Sequence, residues 1–245
     1  QSVAEIRGAL QFAPLPGTAQ EVARLSKRFE ESDYHIVQAT REEANEVTLM
    51  NRARGHRVVH LATHGFFLSE TTAGDEEANP SERVSNLDYR TVVNPMYRSG
   101  LALSGAQSTM NLWQSGNLPP ANQDGILLAA ELATLDLRGT DLIVLSACET
   151  AVGEALQGEG VMGIRRALYS AGAKNVIMTL WPVDDKATVE VMDAFYDKYL
   201  NGDHPAIALA EVQNELLQPW IEKYGEVDAV RRLAPFICSS LGTTR

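Results

Sequence analysis

The chain has 245 residues, enough for one sizeable α/β domain or two small ones. Its net charge of -11 argues against a nucleic-acid backbone as the main partner, because phosphate binding depends on surplus Lys and Arg. Two cysteines, Cys148 and Cys238, are too few for a disulfide framework, and no stretch approaches about 18 consecutive apolar residues. We therefore expect a soluble protein of the cytoplasm that binds neither nucleic acid nor membrane directly.

Helical and β-type segments alternate along the chain. Residues 57–62, 141–145 and 174–180 are short, nearly continuous apolar runs, which is the pattern of central strands covered on both faces. Helical spacing of apolar residues predicts helices over the segments 18–31, 40–54, 161–171, 186–200 and 205–224. This alternation predicts one α/β domain with a mostly parallel central sheet between layers of helices.

Two further segments fall outside this alternation. Residues 69–123 are rich in Gly, Asn, Ser, Pro and acidic residues, and only residues 99–103 have strand character. We expect this region to be a long irregular insertion or loop. Residues 236–238 are predicted to form a last strand at a sheet edge, because Pro235 suits an edge better than a centre.

A histidine and a cysteine follow two of the three central strands. The first strand ends at His64 and Gly65, the second at Cys148, and the third at Trp181. Because parallel strands end at one edge of a sheet, where ligands and catalysts collect, the pattern predicts that His64 and Cys148 meet there. His64 is expected to face solvent, whereas His60 is expected to face inward and hydrogen-bond a neighbour.

A thiol beside an imidazole can ionise near neutral pH and act as a nucleophile. Gly65 has no side chain, so its N–H could approach a substrate carbonyl closely and form an oxyanion hole with the N–H of Cys148. The alternative is that Cys148 is only a small apolar residue filling the core.

The motifs carrying these residues resemble those of the CHAT family of caspase-like peptidases, which are related to the separases. Residues 59–67 (VHLATHGFF) resemble the histidine motif of the family, and residues 145–150 (LSACET) resemble its cysteine motif. Segments 158–161 (GEGV), 171–173 (AGA) and 180–185 (LWPVDD) also match, in the family's order.

The resemblance implies a caspase-hemoglobinase fold and cysteine endopeptidase activity without a cofactor. It assigns His64 as general base and acid, Cys148 as nucleophile and Gly65 to the oxyanion hole. Relatives often follow tetratricopeptide-type helical repeats, so we expect this chain to be the C-terminal part of a longer protein. A regulatory helical-repeat domain or partner protein is then expected beside the protein or peptide substrate.

The substrate pocket is predicted from the loop after the third strand. Trp181, Asp184 and Asp185 lie there, and in the separases a similar loop ends in an acid that receives an arginine. Asp185 matches that acid, which favours a basic residue before the cut. Ser146 stands two positions before the cysteine, where basic-specific relatives often carry an acid. The alternative is that Asp184 and Asp185 cap the following helix, and the two roles can be divided between them.

Other functions find less support. Glu149, Glu154 and Glu159 have no histidine at ligand spacing, which argues against a zinc site. The glycines at 158 and 160 lack the Lys-Ser/Thr pair of a phosphate-binding loop, and no Gly-x-Ser-x-Gly elbow of an ester hydrolase precedes a helix. The main alternative to a peptidase is a catalytically dormant interaction module in a signalling or defence assembly.

Overall fold

A computed structural model describes residues 11–67, 94–119, 124–146 and 157–242 of the chain. Its helices, in chain order, are α1 (Pro16–Glu31), α2 (Glu46–Arg52), α3 (Ala106–Gln114), α4 (Ala129–Leu132), α5 (Gln157–Ala171), α6 (Asp185–Leu200), α7 (Pro205–Tyr224) and α8 (Glu226–Leu233). Its strands are β1 (Val58–Leu61), β2 (His64–Phe67), β3 (Ser99–Ala102), β4 (Ile126–Leu128), β5 (Leu142–Leu145), β6 (Asn175–Thr179) and β7 (Phe236–Ser240).

A four-stranded sheet forms the centre, in the order β1-β5-β6-β7. The first three strands are parallel, and β7 pairs antiparallel with β6 at one edge. We call the side of this sheet at which β1, β5 and β6 end the carboxyl edge. The predicted central strands and the predicted edge strand are therefore confirmed.

Helices cover both faces of the central sheet. Along β5, Leu142 and Val144 pack into a core with residues of α1, α6, α7 and α8. The alternate residues Ile143 and Leu145 pack into a second core with residues of α4 and α5. Successive side chains of a strand point to opposite faces, so an all-apolar strand such as β5 needs both layers. The molecule is thus α/β with a mixed, mostly parallel sheet.

A second, smaller sheet continues from the carboxyl edge. The chain leaves β1 at Leu61 and enters β2 at His64, which pairs antiparallel with β3, and β3 pairs with β4. The Thr63 hydroxyl donates a hydrogen bond to the Ala102 carbonyl between the two sheets. The chain therefore passes from the central sheet to the second sheet directly after the carboxyl edge.

Within residues 69–123, the predicted strand character of residues 99–103 corresponds to β3, but the prediction missed a helix. Residues 106–114 form the helix α3, which buries Ala106, Thr109 and Met110 on one face. Gly105 precedes it with φ 98°, a left-handed conformation that glycine adopts readily. Polar residues outnumber apolar ones in this segment, so its composition conceals the short apolar stripe. Residues 69–93 and 120–123 lie outside the described residues.

The predicted single helix over residues 40–54 is divided in two. A turn of 3-10 helix at Arg41–Glu43 is followed by α2, and Asn45 separates them. The Asn45 side chain accepts a hydrogen bond from the Thr48 N–H at 2.9 Å and so caps the second helix. Asn favours this capping geometry over the interior of a helix, which explains the break.

Candidate functional site

The ends of β1 and β5 are in register at the carboxyl edge. Leu61, the last residue of β1, pairs with Leu145, the last residue of β5. The pairing extends one residue further, because the Ser146 N–H donates to the Leu61 carbonyl at 3.2 Å. Neighbouring strands lie about 4.8 Å apart, so the two chain segments leave the sheet side by side. His64 lies three residues after Leu61, and Cys148 lies three residues after Leu145.

His64 was predicted to end a strand and face solvent, and this prediction was wrong. The residue begins β2 and is only 7% exposed. All four residues of β2 are buried, and Phe66 packs in a core with residues of α3 and with the aromatic ring of Phe12. The ring centroids of Phe12 and His64 are 5.7 Å apart.

The imidazole of His64 is oriented by the backbone of the N-terminal segment. Its Nε2 lies 2.5 Å from the carbonyl oxygen of Ala13. A carbonyl oxygen only accepts hydrogen bonds, so Nε2 carries the proton in this contact. In the neutral ring of this tautomer, Nδ1 is the basic nitrogen.

Two further residues, Gly65 and Cys148, were predicted to take part in the reaction. Gly65 is buried in β2, in register with Leu101 of β3. Cys148 lies outside the described residues, as do Glu149 and Glu154. The last described residue before it is Ser146, which is 1% exposed at the end of β5.

A buried polar network lies under Ser146. The Ser146 hydroxyl donates to Oε2 of Glu21 at 3.1 Å, and Oε1 of Glu21 lies 3.1 Å from Nε2 of His60. Nδ1 of His60 is in turn 2.9 Å from the hydroxyl of Tyr196. Burial raises the pKa of Tyr196 well above its ordinary value, and the nearby charge of Glu21 adds to this. The prediction that His60 faces inward and hydrogen-bonds a neighbour is confirmed.

The loop after β6 is tied to two other elements. Asp184 caps α6 by accepting from the Ala187 N–H at 3.1 Å, and its other oxygen contacts the guanidinium of Arg232. Asp185 accepts a hydrogen bond from the Gly17 N–H at 2.9 Å. The Trp181 indole N–H donates to the Arg231 carbonyl at 3.0 Å. The prediction that an acid here caps the helix is confirmed for Asp184.

Residues 13–21 therefore contact three of the described residues of the candidate site. The contacts are hydrogen bonds between Ala13 and His64, between Gly17 and Asp185, and between Glu21 and Ser146. Sequence reasoning assigned no role to this segment. One signal was available: Glu21 stands one turn before Leu25 on the buried stripe of α1, and both are buried. An acidic residue on the apolar stripe of an amphipathic helix is expected to be buried, and a buried carboxylate is expected to have a hydrogen-bonding or charged partner in the core.

A cavity of about 500 Å³ lies away from these contacts. It runs beside the outer edge of β1 and is lined by α1, α2 and residues 34–39. His60 reaches it, but His64, Ser146 and Asp185 do not line it. We place the candidate site at the carboxyl edge and not in this cavity, because the carboxyl ends of parallel strands are where ligands and catalytic residues of such sheets usually lie.

Comparison with known proteins shows that the sequence matches one protein family. The model of the CHAT domain family matches residues 2–231. The chain is 29% identical over 203 residues to tetratricopeptide repeat protein 28 of Mus musculus, which covers 82% of this chain. It is 30% identical over 155 residues to tetratricopeptide repeat protein 28 of Homo sapiens, which covers 62% of this chain.

The matched region is a small part of these relatives. It spans 8% of the mouse protein and 6% of the human protein. Among the described residues, none of the helices combines the length and apolar character that crossing a membrane requires.

Proposed function

Because the chain belongs to the CHAT domain family, the caspase-like, peptidase-related domain, we propose that it is a cysteine endopeptidase with His64 and Cys148 as its catalytic pair. One observation carries the proposal: the register of Leu61 with Leu145. His64 and Cys148 each follow this pair by three residues, which supports their meeting beyond the carboxyl edge. Three residues of extended chain span at most about 10 Å, which supports placing both groups near this edge.

The contact between Ala13 and His64 supports the role of the imidazole. A catalytic base works best when a third group fixes its orientation. The Ala13 carbonyl binds Nε2–H at 2.5 Å, which leaves Nδ1 as the nitrogen that takes a proton. In the proposed reaction Nδ1 accepts the proton of the Cys148 thiol.

The proposed reaction is an acyl transfer in two steps. The Cys148 thiolate attacks the scissile carbonyl, and the imidazolium of His64 gives its proton to the leaving amine. Water then hydrolyses the thioester with His64 as base, which regenerates the thiol. The N–H groups of Gly65 and Cys148 are proposed to bind the oxyanion, and one such donor can contribute about 3 to 4 kcal/mol.

We propose that the substrate carries a basic residue before the cut. Asp184 is engaged by the helix cap and by Arg232, whereas Asp185 accepts a hydrogen bond from the Gly17 N–H. A carboxylate that keeps acceptor capacity can receive a guanidinium through a charge-assisted bond. Trp181 and Ser146 are proposed to line the same pocket.

The test is a comparison of newly formed protein N-termini after incubation of a cell extract with the chain or with Cys148→Ala. We expect the wild type to create a set of new N-termini that the variant does not create. Arg or Lys should precede the cuts. Equal sets from both proteins would exclude Cys148 as the nucleophile.

A dormant interaction module is the second candidate function. Its support is that the relatives are named for tetratricopeptide repeats and their names mention no peptidase. A wild-type chain that creates no new N-termini, alone or with its upstream region, would favour this function. In either case we propose a protein partner, a regulatory helical-repeat region and a cytoplasmic location.

A further inference from the structure

The cavity beside the outer edge of β1 has no role in the proposed function. Its volume of about 500 Å³ lies within the range of about 300 to 1,000 Å³ that is usual for small-molecule sites. His64, Ser146 and Asp185 do not line it. A ligand bound in this cavity would therefore be separate from the proposed peptidase site.

The walls of the cavity are mainly apolar. Side chains from α1, residues 34–39, α2 and β1 contribute to them: Val22, Phe29, Ile36, Leu49 and Leu61. All five residues are only partly buried, so each keeps apolar surface that a ligand can cover. Removing such surface from water favours binding of an apolar molecule.

The charged residues around the cavity have one sign. The chain carries 32 acidic residues, but the described residues that line the cavity include no Asp or Glu. They do include Arg52 and Arg57, together with three histidines. In a chain with a net charge of -11, this lining is opposite in sign to the molecule as a whole, which favours an anionic ligand.

Both arginines keep capacity to bind an anion. Asp141 lies 3.0 Å from Nε of Arg57 and 2.6 Å from Nζ of Lys174, so one carboxylate faces two cations. Arg52 is exposed at the end of α2 and forms no ion pair with another described residue. A guanidinium can bind a carboxylate through two parallel N–H bonds.

We propose that this cavity binds a small amphipathic carboxylate, a molecule with an apolar chain and one anionic head group. The apolar walls cover the chain, and Arg52 and Arg57 bind the carboxylate. This binding site is independent of the proposed function.

An extended peptide added to β1 is the alternative occupant. The carbonyls of Arg57 and Leu61 accept hydrogen bonds from the β5 side, so the residues that alternate with them turn their backbone groups to the outer edge. However, β1 has only four residues, and pairing of backbones does not require a cationic lining. An amphipathic carboxylate accounts for both the apolar walls and the positive charge.

The test is isothermal titration calorimetry of the intact chain with laurate, a carboxylate with a twelve-carbon chain. Butyrate has the same head group on a short chain, and dodecyltrimethylammonium has the opposite charge on a long chain. We expect laurate to bind and butyrate to bind at least about 100-fold more weakly, because each buried methylene adds to affinity. Dodecyltrimethylammonium should not bind.

Four variants locate the site. Arg52→Gln and Arg57→Gln should each weaken laurate binding about tenfold, because each removes a charge-assisted hydrogen bond. Ser26→Phe places a ring at a lining position of α1 and should abolish binding. Arg24→Gln, which changes an exposed charge of α1 that does not line the cavity, should bind laurate as the wild type does. Circular dichroism checks folding, and the arginine variants carry the test if Ser26→Phe does not fold.

The proposal is overturned if laurate does not bind to the wild type, or if dodecyltrimethylammonium binds equally well. It is also overturned if laurate affinity stays the same in both arginine variants or in a folded Ser26→Phe chain. A wild type that binds an acetylated peptide of alternating Val and Glu residues, but not laurate, would assign the cavity to strand addition. A chain that binds laurate and cleaves no protein would support this site and overturn only the proposed function.

Discussion

At the scale of single residues, Asp184 and Asp185 show how neighbouring acids can serve different purposes. Asp184 faces its own helix and Arg232, and Asp185 faces the start of α1. The two acids are adjacent and directly precede a helix. From the sequence alone, either residue could cap the helix or bind a basic residue of the substrate. The hydrogen-bond partners separate them.

Asp185→Ala should weaken cleavage after Arg or Lys and leave cleavage after other residues unchanged. A charge-assisted hydrogen bond contributes about 1.5 to 3 kcal/mol, so kcat/KM for basic substrates should fall about 10- to 100-fold. A peptide library that varies the residue before the cut measures the effect. An unchanged library profile would show that Asp185 does not line the pocket.

At the scale of elements, the beginning of α6 depends on Asp184. Asp184→Ala removes the cap and the partner of Arg232, while Lys186 and the rest of the helix stay the same. Loss of a cap costs about 1 kcal/mol, and an exposed ion pair adds at most about 1 kcal/mol. We expect urea unfolding to show a loss in this range without a change in the preferred residue before the cut.

This prediction has a matched comparison in Asp185→Ala, which leaves the cap intact. The larger loss of stability should follow Asp184→Ala, and the larger change of specificity should follow Asp185→Ala. The reverse pattern would mean that Asp185 stabilises the helix and Asp184 binds the basic residue of the substrate.

The limits of sequence reasoning also appear at this scale. The strands at residues 57–62, 141–145 and 174–180 were predictable because short, nearly continuous apolar runs with β-branched residues are typical of strands buried on both faces. The position of His64 was not, because a bend of two residues moves the chain from one sheet into another without changing the local pattern. The contacts of Ala13, Gly17 and Glu21 join segments that are far apart in the sequence, so local periodicity does not report them.

At the scale of the whole molecule, one acidic cluster should make stability depend on pH. Burial and a hydrogen bond with Asp124 raise the pKa of Glu46 from 4.5 to about 7, and Glu131 adds to this. Between these values the folded chain holds a proton that the unfolded chain has lost. The free energy of unfolding should therefore fall as pH rises from about 4.5 through about 7.

Glu46→Gln should flatten this dependence, because the amide does not titrate. Urea unfolding at pH 5 and pH 8 measures the change, with the exposed Glu43→Gln as the control. An equal slope in wild type and Glu46→Gln would show that this carboxyl is not responsible.

The central claim is that His64 and Cys148 form one site beyond the carboxyl edge, and the ionisation of Cys148 tests it most directly. Cys238 serves as an internal reference, because burial raises the pKa of its thiol to about 11. The measurement is the iodoacetamide labelling rate of each cysteine against pH, in wild type, His64→Ala and the control His35→Ala, whose histidine is exposed.

In wild type and in His35→Ala, Cys148 should react faster than Cys238 near neutral pH, with a midpoint below that of a free thiol. In His64→Ala the midpoint of Cys148 should rise to that of a free thiol. A Cys148 profile that is the same with and without the His64 imidazole would contradict the claim.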